Sequence, residues 1–352
     1  MNHSEKKLMI YGANGYSAQL IIEELLKRGI KPVLSGRNRE AVSSIAQKYS
    51  CEFRIFDLTG ETESYQSLND INTVLNCAGP FKYTAKDLID YCLETSTNYI
   101  DITGEIPVFA YAFGNNRKAV EKGIVILPGA GFDIIPSDCL ARKLSEKLPD
   151  ATNLKLGFSN KKGRISRGTL LTTLEFISGK GKIRKEEKLI DSPVGEYIIR
   201  IKRNKFSFYG LSIPWGDVFT SFYSTGIPDA EVYLGLPRPL FYIRPALLLF
   251  LKLFKLNFVK KLAADYISRN ITGPDFNRRK LTETYIWGRV QNNTGRMEEE
   301  VYRIMEGYDL TARGAAECAV RIMEGNVKPG THTPSTAFGS NFLDLFVLEK
   351  II

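Results

Sequence analysis

Leu8-Met9-Ile10-Tyr11-Gly12-Ala13-Asn14-Gly15-Tyr16-Ser17-Ala18 is the stretch whose reading decides the fold. An apolar run ends on a glycine pair, Gly12 and Gly15. A helical apolar pattern follows at once in Leu20, Ile21, Ile22, Leu25 and Leu26. Strand, tight turn and helix form the context in which such glycines carry meaning. Gly12 permits the turn, and Gly15 lets the backbone approach a pyrophosphate. The N–H groups that open a helix lack carbonyl partners and face the anion. Ala18 stands where close helix–strand packing asks for a small residue. The Gly-x-x-Gly-x-x-Ala spacing is looser than Gly-x-Gly-x-x-Gly, so the flanking residues have to support it.

They do. After Gly29, Lys31 to Leu34 reads as a second strand running into Ser35-Gly36-Arg37-Asn38-Arg39. An acidic residue at that strand end would accept from a ribose 2′-hydroxyl. Arg37 instead offers a charged, planar pair of donors that suits a 2′-phosphate. The expected cofactor is therefore NADP rather than NAD.

Strand and helix signals keep alternating. Cys51–Phe56 reads as a third strand ending at Asp57, and Thr73–Cys77 as a fourth ending at Ala78-Gly79-Pro80-Phe81. Asn98–Ile102 is a fifth, ending at Thr103-Gly104-Glu105, and Gly123–Leu127 a sixth, running into Pro128-Gly129-Ala130-Gly131. Ser137 then reads as the N-cap of a helix over Asp138–Leu148. This alternation predicts an α/β protein with a doubly wound, Rossmann-type parallel sheet, its ligand at the carboxyl ends of the strands. The special residues gather at those ends. Asp57 can accept from the adenine amino group, and Ala78, Gly79, Pro80 and Phe81 offer a small, rigid backbone to the nicotinamide ribose. Asp101 and Glu105 straddle the end of strand five, as acid–base groups or as loop-fixing residues. Asp133 and Asp138 invite the same two readings.

The chain has 352 residues, more than one hydrophobic core usually serves, which points to two domains. Its 43% apolar and 25% charged content is that of an ordinary globular protein. The formal net charge of +9 raises nucleic acid as a partner. The basic clusters, Lys180–Lys188, Arg200–Lys205 and Arg278–Lys280, are scattered and accompany no nucleic-acid module, so that class is excluded. Five dispersed cysteines (Cys51, Cys77, Cys92, Cys139 and Cys318) and no signal-peptide pattern predict reduced thiols in a cytoplasmic setting. With His3 and His332 as the sole histidines and no Cys-x-x-Cys, no zinc site or histidine triad is expected.

Several motifs in order resemble the saccharopine dehydrogenase-like oxidoreductases, most of all their trans-acting enoyl reductase branch. They are Gly12–Ala18, Ser35-Gly-Arg-Asn38, Asn76-Cys-Ala-Gly-Pro-Phe81, Tyr99-Ile-Asp-Ile-Thr-Gly-Glu105 and Pro128–Asp138. Gly273-Pro-Asp-Phe-Asn-Arg278, Gly307–Ala312 and Gly330–Gly339 follow. The resemblance implies NADP, with Gly12, Asn14, Gly15, Tyr16 and Ser17 around the pyrophosphate, and Arg37 on the 2′-phosphate with Asn38 beside it. The family includes both C=C and C=N reductions, so the resemblance does not fix the substrate. The expected reaction is reduction of a C=C (enoyl, lipid-like) or C=N bond by hydride transfer from NADPH. The proton comes from water or from a cleft side chain, with Tyr83, Asp101 and Glu105 as candidates. The resemblance also implies that 305–352 returns to the first domain and that Ala312–Met323 is a buried helix. The short-chain dehydrogenases, the other family with such a turn, need Tyr-x-x-x-Lys. No tyrosine here has a lysine four residues on.

The expected organisation is a dinucleotide-binding domain over 1–148, a mixed α+β substrate or oligomerisation domain over 149–304, and the returning segment 305–352. Within the second part, Pro239–Leu262 is rich in leucine and phenylalanine but interrupted by Lys252 and Lys255, too short a clean run to span a bilayer. Two readings stay open: a core or subunit-interface helix, or an amphipathic helix lying in a membrane surface. The expected partners are a small molecule, acyl or lipid-like, and a second copy of the chain. A nucleotide-binding or lipid-associated scaffold without turnover is the rival to the enzyme.

Overall fold

The computed structural model describes residues 7–59, 61–178, 181–203 and 206–352. His3, Lys180, Lys205 and the side chains of Lys252 and Lys255 lie outside that set. Two compact units result: Met1–Ile135 with Tyr308–Phe338, and Pro136–Gly307 with Gly339–Ile352.

The first unit runs β1 (Lys7–Tyr11), α1 (Tyr16–Lys27), β2 (Val33–Gly36), α2 (Arg39–Tyr49), β3 (Phe53–Ile55), α3 (Glu61–Leu68) and β4 (Ile71–Asn76). It continues through α4 (Ala85–Thr95), β5 (Asn98–Asp101), α5 (Ile106–Gly114), α6 (Asn116–Lys122) and β6 (Val125–Leu127). The second unit opens with α7 (Ile135–Lys147), β7 (Asn153–Lys161), α8 (Arg167–Ser178), β8 (Lys182–Lys185), β9 (Lys188–Asp191), β10 (Ile198–Arg203) and β11 (Phe206–Ser212). It goes on with α9 (Asp217–Thr225), β12 (Asp229–Gly235), α10 (Arg238–Tyr242), α11 (Arg244–Leu251), α12 (Asn257–Asn270), α13 (Phe276–Lys280), β13 (Glu283–Gln291) and β14 (Met297–Ile304). The chain then forms α14 (Gly307–Met323), β15 (Gly330–Thr331), α15 (Pro334–Phe338) and β16 (Val347–Lys350).

In the first unit the strand order is β3-β2-β1-β4-β5-β6-β15, every pair parallel. A parallel sheet covered on both faces asks for unbroken apolar strands, and Leu8, Met9, Ile10 and Tyr11 of β1 are all buried. The order reverses between β1 and β4, which opens a crevice at their carboxyl ends. Helix α1 buries Ala18, Ile21, Ile22 and Leu25 at the spacing of one helical face. Arg28, just past it, pairs with Glu24 and, at 2.7 Å, with Glu317 of α14. Strand β2 begins at Val33, two residues later than the sequence pattern suggests. Pro32 has no N–H to give the ladder, so pairing starts beyond it.

The second unit is built on a mixed sheet, β10-β11-β12-β7-β13-β14-β16, with β7 and β12 parallel and the β8–β9 hairpin joined to β12. Helix α7 lies on it. A Cβ at Gly288 of β13 would stand 2.8 Å from Leu144 and 3.0 Å from Leu140, so the helix seats where the strand has no side chain. Two expectations are corrected here. Ser137 is not an N-cap: the helix opens at Ile135, because Pro136 fits a first turn, and the Ser137 hydroxyl donates to Asp217 Oδ2 at 2.9 Å. The stretch 239–262 is not one helix. Pro239 and Pro245 each sit in the first turn of a new helix, a 3-10 turn covers Lys252–Lys255, and extended Leu256 precedes α12.

Candidate functional site

Gly12 leaves β1 with a φ of 82°, a left-handed conformation that favours glycine. A Cβ there would stand 2.7 Å from the Ala78 nitrogen at the end of β4. Position 12 is thus glycine twice over, by dihedral and by the close approach of the two strands at the switch point. The Ser35 carbonyl of β2 accepts from both the Gly12 and Ala13 N–H groups, at 2.8 and 3.0 Å, and Gly15 N–H closes the turn onto Gly12 O at 3.0 Å. Gly15 precedes α1 and has no side chain with which to cap the first helical N–H groups. A pyrophosphate fits such a cradle. Asn14 is exposed, and Gly15, Tyr16 and Ser17 are half-buried beside it. The Tyr16 ring meets Tyr308 of α14 edge-on, centroids 5.0 Å apart.

Arg37 follows β2 directly, one strand from the glycine turn. It is exposed and forms no ion pair among the described residues. Asn38 beside it caps α2, its Oδ1 accepting from Ala41 N–H at 2.9 Å. Asp57 lies two residues past β3, exposed, with Oδ1 accepting from Thr59 N–H at 3.2 Å in a side-chain-closed turn. Burial, with the Asp57 charge second, pushes the Tyr11 phenol up to about 12.

The far side of the crevice is held by a polar network centred on the buried Asn76, Tyr99 and Asp101. Asn76 donates from Nδ2 to Thr84 Oγ1 and to the Tyr99 hydroxyl, both at 3.1 Å, while its Oδ1 accepts from Ala78 N–H at 2.9 Å. Tyr99 passes its own proton to Asp101 Oδ2 at 2.8 Å. Asp101 Oδ1 accepts from Thr103 and Gly129 N–H, each at 2.9 Å, tying the ends of β5 and β6 together. Burial drives the Asp101 carboxyl up to about 6, against the pull of those hydrogen bonds. Glu105 accepts Phe81 and Lys82 N–H at 2.8 and 2.9 Å, capping the short 3-10 turn Phe81–Tyr83 that follows Ala78-Gly79-Pro80. Tyr83 closes that turn with its side chain 64% exposed and the Lys82 ammonium 4.7 Å from its ring centre.

Asp101 and Glu105 thus both bind loop backbone N–H groups, and Tyr83 ends the turn that Glu105 caps. A second carboxyl raised toward neutrality, besides Asp101, is Asp133. A Cβ on Gly104 would lie 3.0 Å from its Oδ2, so glycine at 104 is what lets the carboxylate lie against the β5 loop. Burial, then the Glu105 charge, raises it to about 7. Two residues of α14 support this loop and the glycine turn: Thr311, whose Oγ1 accepts from Phe132 N–H at 3.0 Å, and Tyr308 against Tyr16. The sequence marks Gly307–Ala312 as a motif but gives no hint of these contacts, the Thr311–Phe132 bond alone spanning 179 residues of chain. Among the described residues no cluster of histidine, cysteine or carboxylate side chains could hold a metal.

A switch-point glycine turn on this parallel sheet defines a Rossmann-type dinucleotide-binding fold. Residues 8–127, within this first unit, match the saccharopine dehydrogenase NADP binding domain. The resemblance read from the motifs to the saccharopine dehydrogenase-like oxidoreductases is borne out over it. One such protein from Bos taurus is 28% identical over 151 residues, 37% of this chain and 35% of that protein. A putative trans-acting enoyl reductase of Mycobacterium tuberculosis is 26% identical over 188 residues, 49% of this chain and 45% of that protein. The chain thus spans between about a third and a half of the length of these relatives. The fold extends further: apo saccharopine dehydrogenase (L-Glu forming) from Saccharomyces cerevisiae superposes with a TM-score of 0.65 over 98% of this chain and 99% of that one, at 12% identity.

Proposed function

We propose that this protein is an NADP-dependent oxidoreductase that reduces a C=C (enoyl, lipid-like) or C=N double bond by hydride transfer from NADPH. The observation that carries the reading is Arg37, exposed and without an ion pair among the described residues, at the end of the strand beside the glycine turn. A 2′-phosphate gives that guanidinium a charged, bidentate partner, whereas a bare 2′-hydroxyl would leave its charge unanswered.

When bound, the nicotinamide supplies the hydride. This chain's residues do the rest. The Gly12–Ser17 backbone holds the pyrophosphate, Asn38 fixes the turn behind Arg37, and Asp57 accepts from the adenine amino group. Ala78, Gly79, Pro80 and Phe81 line the ribose on the nicotinamide side. Glu105 and Asp101 are positioning residues: one caps the Phe81 turn, the other pins the β5 and β6 loops. Asp133 holds the proton that completes the reduction, since a carboxyl near neutrality is protonated in a useful fraction and still gives the proton up. The enoyl option draws on the relative named as a putative trans-acting enoyl reductase. The C=N option draws on the family motifs. No disulfide joins any of the five cysteines, which supports a reducing, cytoplasmic setting.

The test is NADPH consumption, followed optically, with one panel of enoyl thioesters and one of imines. Turnover with one panel and not the other is the expected result. Tight NADPH binding with turnover on neither would leave a nucleotide-binding scaffold in place of an enzyme.

A further inference from the structure

The second unit carries a surface that the nucleotide chemistry does not use. Residues 238–270 fold into α10, α11, the 3-10 turn and α12, and the turn and α12 pack onto α8. Helix α12 buries no residue. Val259, Ala263 and Ile267 are half-buried on its inner side, while Phe258, Leu262 and Tyr266, spaced four apart, stand out at 65, 64 and 63% exposure. In α11, Leu248 turns inward, 3.0 Å from where a Cβ on Gly195 would be, while Leu249 and Phe250 are 66 and 55% exposed. Of the 23 large apolar side chains that are exposed among the described residues, ten belong to this segment. Soluble proteins seldom gather exposed apolar side chains in one place without covering them.

The charge around them says what covers them. The segment holds seven basic residues, Arg238, Arg244, Lys252, Lys255, Lys260, Lys261 and Arg269, against one acid, Asp265. The stretch leading into α8 adds Lys161, Lys162, Arg164 and Arg167, with no acid before Glu175. A second copy of the chain docked here would press these cations against their own kind and strip them of water, at a cost that apolar contact would have to outweigh. An anionic lipid surface answers both features. The apolar side chains enter the headgroup–acyl boundary, and the long lysine and arginine stems reach phosphate oxygens above it. Among the described residues no helix is long and apolar enough to cross a membrane, so the geometry is that of short helices lying flat.

We propose that the α10–α12 segment is a docking face for membranes rich in anionic phospholipid. Its test uses the whole protein and vesicles of phosphatidylcholine alone or with phosphatidylglycerol. Co-sedimentation with the anionic vesicles, little with the neutral ones, and release by salt are expected. Phe258→Ser with Leu262→Ser should abolish binding. Lys261→Glu with Arg269→Glu should weaken it on the order of tenfold or more. Circular dichroism and NADPH affinity confirm that the variants fold. Failure to bind anionic vesicles overturns the proposal. So does equal binding to both vesicle types, or a dimer in light scattering that the Phe258→Ser, Leu262→Ser variant splits, since that would make the face a self-interface. NADPH affinity is read separately, so failure of vesicle binding leaves the cofactor reading untouched.

Discussion

Helices α1 and α12 are written in much the same way and meet opposite fates. Each repeats apolar residues along a face, over 12 residues in one and 14 in the other. In α1, Ile21, Ile22 and Leu25 are fully buried; in α12 the matching stripe, Phe258, Leu262 and Tyr266, is exposed. What separates them lies outside both helices. Helix α1 grows out of a buried strand through a turn that permits no side chain at Gly12, so its apolar face is delivered onto the sheet. Helix α12 follows two proline-started helices and an extended Leu256, and its inner face packs against α8 and the 3-10 turn. Periodicity tells which residues line up; the connection tells what they face.

The contrast can be broken most sharply by truncation. Ile21→Ala should cost about 2–5 kcal/mol in unfolding free energy, and Leu262→Ala within about 0.5 kcal/mol of nothing. Chemical denaturation of both variants measures this, and equal losses would erase the distinction between the two helices. Gly12→Ala comes next. A Cβ 2.7 Å from the Ala78 backbone forces β1 and β4 apart at the switch point. NADPH affinity should fall by about a hundredfold or more, as backbone strain of roughly 1–3 kcal/mol adds to the lost pyrophosphate cradle. Isothermal titration would read it, and unchanged affinity would remove the turn from the site.

A smaller effect concerns Asp133. Its folded carboxyl is raised to about 7 from an ordinary 3.8, so the folded state binds a proton that the unfolded chain releases. That contribution is complete in acid and is lost as pH rises from about 4 through about 7. Asp133→Asn keeps the neutral shape and should be the more stable protein at pH 8, by roughly 1–3 kcal/mol, with the advantage vanishing near pH 4. It should also slow turnover at every pH. A constant stability difference across that range would show that folding does not raise the carboxyl. Faster turnover would remove it from proton transfer.

Much of the first unit was legible because its determinants are local. The glycine turn and Arg37 past the second strand lie close together in the chain, the β–α alternation continues from them to about residue 148, and the sheet is parallel as expected. The work of Asp101 and Glu105 was half legible: their place at a strand end was plain, whereas their bonds to Gly129, Phe81 and Lys82 cross strands and appear only on folding. Thr311 and Tyr308 were invisible as supports for the same reason. The second unit resisted reading where proline sets the breaks. The leucine-rich run of 239–262 looks continuous by composition, yet Pro239 and Pro245 each begin a new helix. Ser137 misled because a serine before a helical run is a good cap only if the helix has not already begun, and Pro136 had begun it.

The central claim is that the end of β2 reads a 2′-phosphate, and titrating the wild type and Arg37→Ala with NADPH and NADH tests it most directly. Wild-type protein should bind NADPH the more tightly. The substitution should weaken NADPH by about 1.5–3 kcal/mol and leave NADH almost unchanged. NADPH binding that ignores the loss of Arg37, or NADH binding that falls equally, would contradict the account.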